Sequence, residues 1–186
     1  MTTVGIIGRG RMGLALTGAL VAAGYDVLLA AGRPDAPADC PRWTIAPLEL
    51  WSSAEIVVPA VPASAVLGLD PVHGGGRILV DLTNPGFDVR PLPPDAGASA
   101  GETLARRLTG WRVVKAFNTI PAALLCGPLA GRRAVRVPVA GDDAGAKVTV
   151  GRLVSRLGFR PVDAGGIVSS RYLERLAVHL HTAATR

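Results

Sequence analysis

Apolar residues in this chain fall into short, nearly unbroken runs, each closed by glycine, proline or a polar residue. Such runs mark strands buried on both faces of a sheet, where the in–out alternation of a half-exposed strand is lost. The pattern predicts strands at 3–8, 25–30, 54–60, 77–82, 112–117, 136–140 and 159–162, with a short one at 43–45. Between them, small and apolar residues at helical spacing predict helices at 11–23, 63–69, 101–108, 121–126, 143–157 and 168–183, and a short one through Leu48 and Leu50. Gly24 stops the first helix. The last helix is expected to bury Leu173, Leu176, Ala177 and Leu180. Pro59 removes a ladder donor from its run, so a bulge or strand end is expected near residue 58. Residues 34–41 and 86–100 are rich in Pro, Gly and Asp and read as loops, the second a lid or a linker.

This alternation predicts an α/β fold with one doubly wound, mostly parallel sheet and a short C-terminal helical extension. The 186 residues suit one core, so 1–186 is read as a single domain whose smaller C-terminal part runs from about 141 to 186. No apolar run approaches the roughly 18 residues of a membrane span. The first strand begins at residue 3, which leaves no leader segment, and a cytoplasmic protein with no membrane contact is expected.

Charge narrows the partners. Twenty basic against fourteen acidic residues give a net charge of +6, and 18 of the 20 bases are arginine. They stand in ones and twos, as at Arg106-Arg107 and Arg132-Arg133, and aromatics are only 4%. Nucleic acid calls for a basic stripe interleaved with aromatics, so anionic small molecules fit better and no nucleic-acid partner is expected. Cys40 and Cys126 match no metal or redox spacing and read as free thiols. His73, His179 and His181 form no metal set, and no metal site is expected.

The chemistry concentrates after the first strand, in Gly8-Arg9-Gly10-Arg11-Met12-Gly13. This is G-x-G-x-x-G between a strand and a helix, with the next strand about 20 residues on, the arrangement of a Rossmann-type dinucleotide site. Gly8 permits the tight turn, Gly10 lets a pyrophosphate approach the backbone, and Gly13 lets the helix pack on the strand. The helix N-terminus attracts the phosphates. Where an NAD-specific fold carries an acid at the end of the second strand, this chain reads Ala30-Ala31-Gly32-Arg33-Pro34. A guanidinium there grips a 2′-phosphate, so NADP(H) is the expected cofactor and Arg33 its reader. Asp35, two residues on, leaves NAD as the alternative. Val61-Pro62 and Thr83-Asn84-Pro85 close two further strands at the carboxyl edge, where open α/β sheets bind ligands.

No nucleophile motif and no evident general acid or base stands in the chain. Carbonyl reduction needs a proton donor, whereas hydride passage between two bound cofactor rings needs mainly alignment.

These stretches resemble the deazaflavin-dependent NADP oxidoreductases, which move hydride between NADPH and coenzyme F-420. The likeness runs in order through 8–13, Ala31-Gly32-Arg33, Val61-Pro62, Val80-Asp81-Leu82-Thr83-Asn84-Pro85, Val114-Lys115-Ala116-Phe117-Asn118-Thr119-Ile120-Pro121, Ala140-Gly141-Asp142-Asp143, Val162-Asp163-Ala164-Gly165, and Arg171 with Glu174. The resemblance implies an NADP-bound homodimer. It implies that Arg33 meets the 2′-phosphate and that Val61, Pro62 and Asn84 lie near the ribose or nicotinamide. Asn118, Thr119 and Ile120 would border the nicotinamide and the deazaflavin, with Asn118 and Thr119 positioning the reactants. Lys115 would face either a phosphate or solvent. Gly32 departs from the family, which often has a hydroxyl there, and so does the interrupting Pro59.

Two other functions fit the same residues. One is NADPH-dependent reduction of another acceptor: a flavin, a ferric chelate or an imine. The other is a non-catalytic NADP(H) sensor. The R-M-G glycine turn is also similar to that of pyrroline-carboxylate reductases and hydroxyacid dehydrogenases, but the one or two helices after the last strand do not amount to their all-helical second domain.

Overall fold

A computed structural model describes residues 2–30, 47–67, 73–87, 99–127 and 132–184. Seven strands form one sheet: β1 (Thr3–Ile7), β2 (Asp26–Ala30), β3 (Ile56–Pro59), β4 (Ile78–Asp81), β5 (Arg112–Lys115), β6 (Arg136–Gly141) and β7 (Arg160–Asp163), in the spatial order β2-β1-β3-β4-β5-β6-β7. All neighbours run parallel except β5 and β6. The helices are α1 (Arg11–Ala22), α2 (Pro47–Ser53), α3 (Ala63–Leu67), α4 (Ala100–Arg107), α5 (Ala122–Cys126), α6 (Ala144–Arg156) and α7 (Ser170–Ala184). Expected and observed elements agree to within a few residues. The 43–45 strand, most of the 34–41 and 86–100 loops, Arg33 and Cys40 lie outside the described residues.

The two sheet faces carry separate apolar layers. On one, Leu16 and Leu20 of α1, Leu125 of α5 and Val150 and Leu153 of α6 pack on Val4, Ile6, Val58 and Val114. On the other, Leu50 and Trp51 of α2, Val66 of α3 and Leu104 of α4 pack on Ile7, Val57, Leu79 and Val113, with Trp51 edge-on to Trp111. This is the doubly wound arrangement. The order reverses between β1 and β3, so the crevice for a ligand opens there, at the strands' carboxyl ends.

Pro59 sits in the ladder without a bulge, opposite Ile7, and β3 ends on it. The next residue, Ala60, donates to Ile7 O. Residues alternate between neighbours in a parallel strand, so the missing N–H of Pro59 faces β4, whose pairing with β3 stops at Val57–Leu79.

The last helix differs from expectation. Its buried stripe is Ser170, Leu173, Glu174 and Ala177, while Leu180 is exposed. Glu174 occupies the inward face because it meets Lys115 and the N–H groups of Ala100 and Gly101, and Ser170 packs there against Gly101. Arg132 is also buried: its guanidinium donates to Leu124 O, Leu125 O, Gly127 O and Leu157 O and lies over the Phe159 ring.

Candidate functional site

The glycine turn after β1 is shaped by contact. Gly8 adopts φ +109° and its N–H donates to Ala30 O at 2.8 Å, tying the turn to the end of β2. A side chain on Gly8 would start 2.6 Å from Ala60 O and 2.7 Å from Val61 Cγ1. One on Gly13 would overlap the Gly8 carbonyl oxygen. Gly10 is the opposite case: its φ of −69° suits any residue, and none of the described residues lies within 4 Å of where its Cβ would stand. Two glycines are therefore demanded by the fold and the third by open space beside the backbone. Gly10 caps α1 with no side-chain bond, and no acidic residue stands in the first turn. The leading N–H groups of α1 face that space with positive potential. Arg9 and Met12 are half-buried and Arg11 is exposed around the turn. Such a cradle fits the pyrophosphate of a dinucleotide.

Val61 and Pro62 follow β3 after Ala60, and Val61 lies against Gly8. On the far side of the crevice, two asparagines join the ends of β4 and β5. Asn84 Nδ2 donates to Asn118 O at 2.7 Å, and Asn118 Nδ2 donates to Asn84 Oδ1 and to Leu173 O, each at 2.9 Å. Asn118 is directed there by Phe117, whose φ of +61° is uncommon for a non-glycine residue. The Phe117 ring is buried edge-on to Phe159, which holds the backbone in this turn. Thr119 is half-buried, and the Ile120 side chain belongs to the core layer against which Met12 also packs.

Lys115 faces neither a phosphate nor solvent. Its side chain is wholly buried, and Nζ donates to Asp81 Oδ2 at 2.8 Å, Thr83 O at 2.6 Å and Glu174 Oε1 at 2.8 Å. The reason is register: Lys115 pairs with Asp81 across β4 and β5, so both side chains leave the same face of the sheet. Asp81 Oδ1 also accepts from the Thr83 N–H and hydroxyl. Glu174 accepts from the N–H groups of Ala100 and Gly101 at the start of α4. Nearby, Arg171 donates twice to the Glu102 carboxylate, linking α7 to α4 a second time.

Burial raises the Glu174 carboxyl above the usual glutamate range, and the Lys115 ammonium offsets this only in part. A carboxyl raised on folding binds its proton more tightly in the native chain, so its contribution to stability declines as pH climbs past the usual glutamate range. Glu174→Gln is therefore expected to gain on the wild type as pH rises from that range to neutrality. Urea midpoints of both proteins at acid and neutral pH check this; a constant difference contradicts it.

The family model described as NADP oxidoreductase coenzyme F420-dependent matches residues 3–85. The chain is similar to this family over those residues. A candidate F420-dependent NADP reductase of known structure from Arthrobacter sp. FB24 is 28% identical, with a TM-score of 0.77, over 100% of this chain and 96% of its own. A hypothetical protein from Sinorhizobium meliloti is 31% identical, with a TM-score of 0.72, over 91% and 88%. Metalloreductase STEAP3 of Rattus norvegicus is 34% identical over 95% of this chain but 36% of its own length. The chain thus spans about a third of the length of the curated relatives it matches.

Within this family frame, the structure brings Gly8, Gly10, Gly13 and Val61 together at one wall and Asn84 and Asn118 at the other. It turns the Ile120 side chain into the core. Asp81 and Phe117 were not singled out from the sequence. Asp81 and Lys115 did carry a signal, since each is a lone charge closing a central apolar strand and needs a buried partner. Phe117 carried none. Among the described residues no group of His, Cys, Asp or Glu could hold a metal, and no helix is long and apolar enough to cross a membrane.

Proposed function

We propose that this chain is an NADP-dependent oxidoreductase that binds NADPH across the β1–α1 turn and passes its hydride to a deazaflavin, coenzyme F-420. The observation that carries the reading is the contrast within the turn: Gly8 and Gly13 are closed off by contact, and Gly10 is clear of the described residues beside a bare helix N-terminus. Gly8, Arg9, Gly10, Arg11, Met12 and Gly13 hold the pyrophosphate, and Arg33 reads the 2′-phosphate. Val61, Pro62 and Asn84 line the ribose and nicotinamide, with Ile120 contributing through its backbone. Asn118 and Thr119 position the rings. NADPH supplies the hydride; the chain's task is alignment and exclusion of water. The exposed Val168 and Tyr172 at the head of α7 support a homodimer.

The likeness to a metalloreductase supports a second reading, in which a flavin or ferric chelate takes the electrons.

Gly10→Val tests the site. Its Cβ meets none of the described residues, so the melting temperature is expected to hold nearly constant. The side chain would fill the pyrophosphate position, and NADPH affinity, read by nicotinamide fluorescence, is expected to fall about tenfold or more, the loss of at least one charge-assisted bond. Unchanged affinity sinks the assignment. Loss of the NADPH absorbance band with coenzyme F-420, FMN and ferric citrate in turn then distinguishes the acceptors. Binding without consumption of any acceptor marks a sensor.

A further inference from the structure

Two observations around Asn118 go beyond a general lining role. Both hydrogens of its side-chain amide are committed, one to Asn84 Oδ1 and one to Leu173 O. Its Oδ1, by contrast, is buried with no hydrogen-bond partner among the described residues. An amide so held cannot turn over without breaking both bonds. It presents one fixed acceptor.

The atoms that hold it are themselves gripped from behind. Lys115 Nζ takes the carbonyl of Thr83, the residue before Asn84, and the carboxylate of Glu174, the residue after Leu173. Its third bond goes to Asp81. All three N–H donors of the ammonium are used, on β4, on the segment leaving β4 and on α7. Glu174 passes the grip on to the N–H groups of Ala100 and Gly101. Each partner of Asn118 is therefore one residue from an atom bonded to Lys115.

We propose that Lys115 and Glu174 are positioning residues. They hold Asn84 and the carbonyl of Leu173 in place, so that the Asn118 amide stays in one orientation with Oδ1 free to accept an N–H from a bound ring. The ligand class is a planar ring bearing an amide N–H, which a nicotinamide carboxamide and a deazaflavin both provide. This rests on the proposed NADPH-dependent hydride transfer for its ligand but not for its geometry.

The test compares Glu174→Ala with Glu174→Gln. Alanine removes the link from α7 to Lys115 and α4; glutamine keeps an acceptor of the same length. In the wild type, the Asn118 side-chain amide protons are expected to exchange slowly by NMR. Glu174→Ala should speed that exchange and lower the hydride-transfer rate at saturating NADPH by about tenfold or more, the scale of a small misalignment. NADPH affinity should hardly change, because the glycine turn is untouched. Glu174→Gln should restore slow exchange and most of the rate. Asn118 protons that stay slow in the alanine variant overturn the proposal, as does an equal loss of rate and melting temperature in both variants. Should Glu174→Ala not fold, the uncharged chain Asp81→Asn/Lys115→Met/Glu174→Gln takes its place with the same readings. A wild type that reduces no acceptor removes the functional reading alone, since amide exchange still reports on the geometry.

Discussion

Lys115→Met is expected to cost about 3–5 kcal/mol, a large part of the stability of an ordinary domain. The substitution keeps the aliphatic stem and removes the ammonium. It leaves the Asp81 and Glu174 carboxylates facing one buried space from which the cation has gone. Neither can reach water easily: the Asp81 side chain is 0% exposed and that of Glu174 10%. Their remaining donors are the Thr83 N–H and hydroxyl for Asp81 and two helix N–H groups for Glu174. These stabilise each charge singly but do nothing against the repulsion between them. One carboxyl must take up a proton or the region must open, and both routes lower stability at neutral pH. Adding Asp81→Asn and Glu174→Gln to Lys115→Met removes every charge of this cluster and is expected to recover most of the loss. Urea midpoints of the single and triple variants decide the matter. A triple variant no better than the single one would mean that packing, not charge, sets the cost.

The second large effect is expected at Arg132, where methionine should cost about 3 kcal/mol. The guanidinium has no carboxylate partner in the structure described. Its charge is compensated by carbonyl oxygens: Leu124, Leu125 and Gly127 at the end of α5, and Leu157 at the end of α6. Helix C-termini carry partial negative charge and unpaired carbonyls, so one side chain satisfies both needs for two helices. Truncating it leaves several buried acceptors unpaired, each worth about 1–3 kcal/mol. Arg132→Lys should recover less than half, because one ammonium with three donors cannot reproduce the planar fork. The melting temperatures of both variants check this, and a lysine variant matching the wild type contradicts it. Since α5 follows directly on Asn118, Thr119 and Ile120, this clamp also steadies the wall of the crevice opposite the glycine turn.

Both effects share an origin that bears on function. The chain spends its strongest polar interactions not in the ligand crevice but just behind it. The crevice keeps the bare amides of the α1 N-terminus and a glycine clear of the described residues. Such groups suit the binding and alignment of a cofactor that brings its own chemistry.

What could be read from the chain alone was local. The strands between Thr3 and Asp163, the glycine turn and the helix after it each depend on fewer than about a dozen consecutive residues, and steric rules act at that range. The position of Val61-Pro62 and Thr83-Asn84 at the strands' carboxyl ends followed from the same logic. Arg33, expected from the sequence to read a phosphate, lies outside the described residues.

The polar interior was decided by the tertiary structure. Lys115 meets Asp81 and Glu174 across separations of 34 and 59 residues, and Asn118 meets Leu173 across 55. Those meetings depend on strand register and on the rotation of α7, where a shift of one residue would send each side chain elsewhere. The hydrophobic pattern placed Leu180 inward and gave Glu174 no place in the core; the fold reversed both, because buried polar partners outweighed one leucine. Arg132 stands in the sequence as half of an arginine pair, and the fold makes it the clamp between two helix ends. Periodicity records which face of an element is apolar. Where a charge finds its partner depends on how distant elements come together, and only the folded chain determines that.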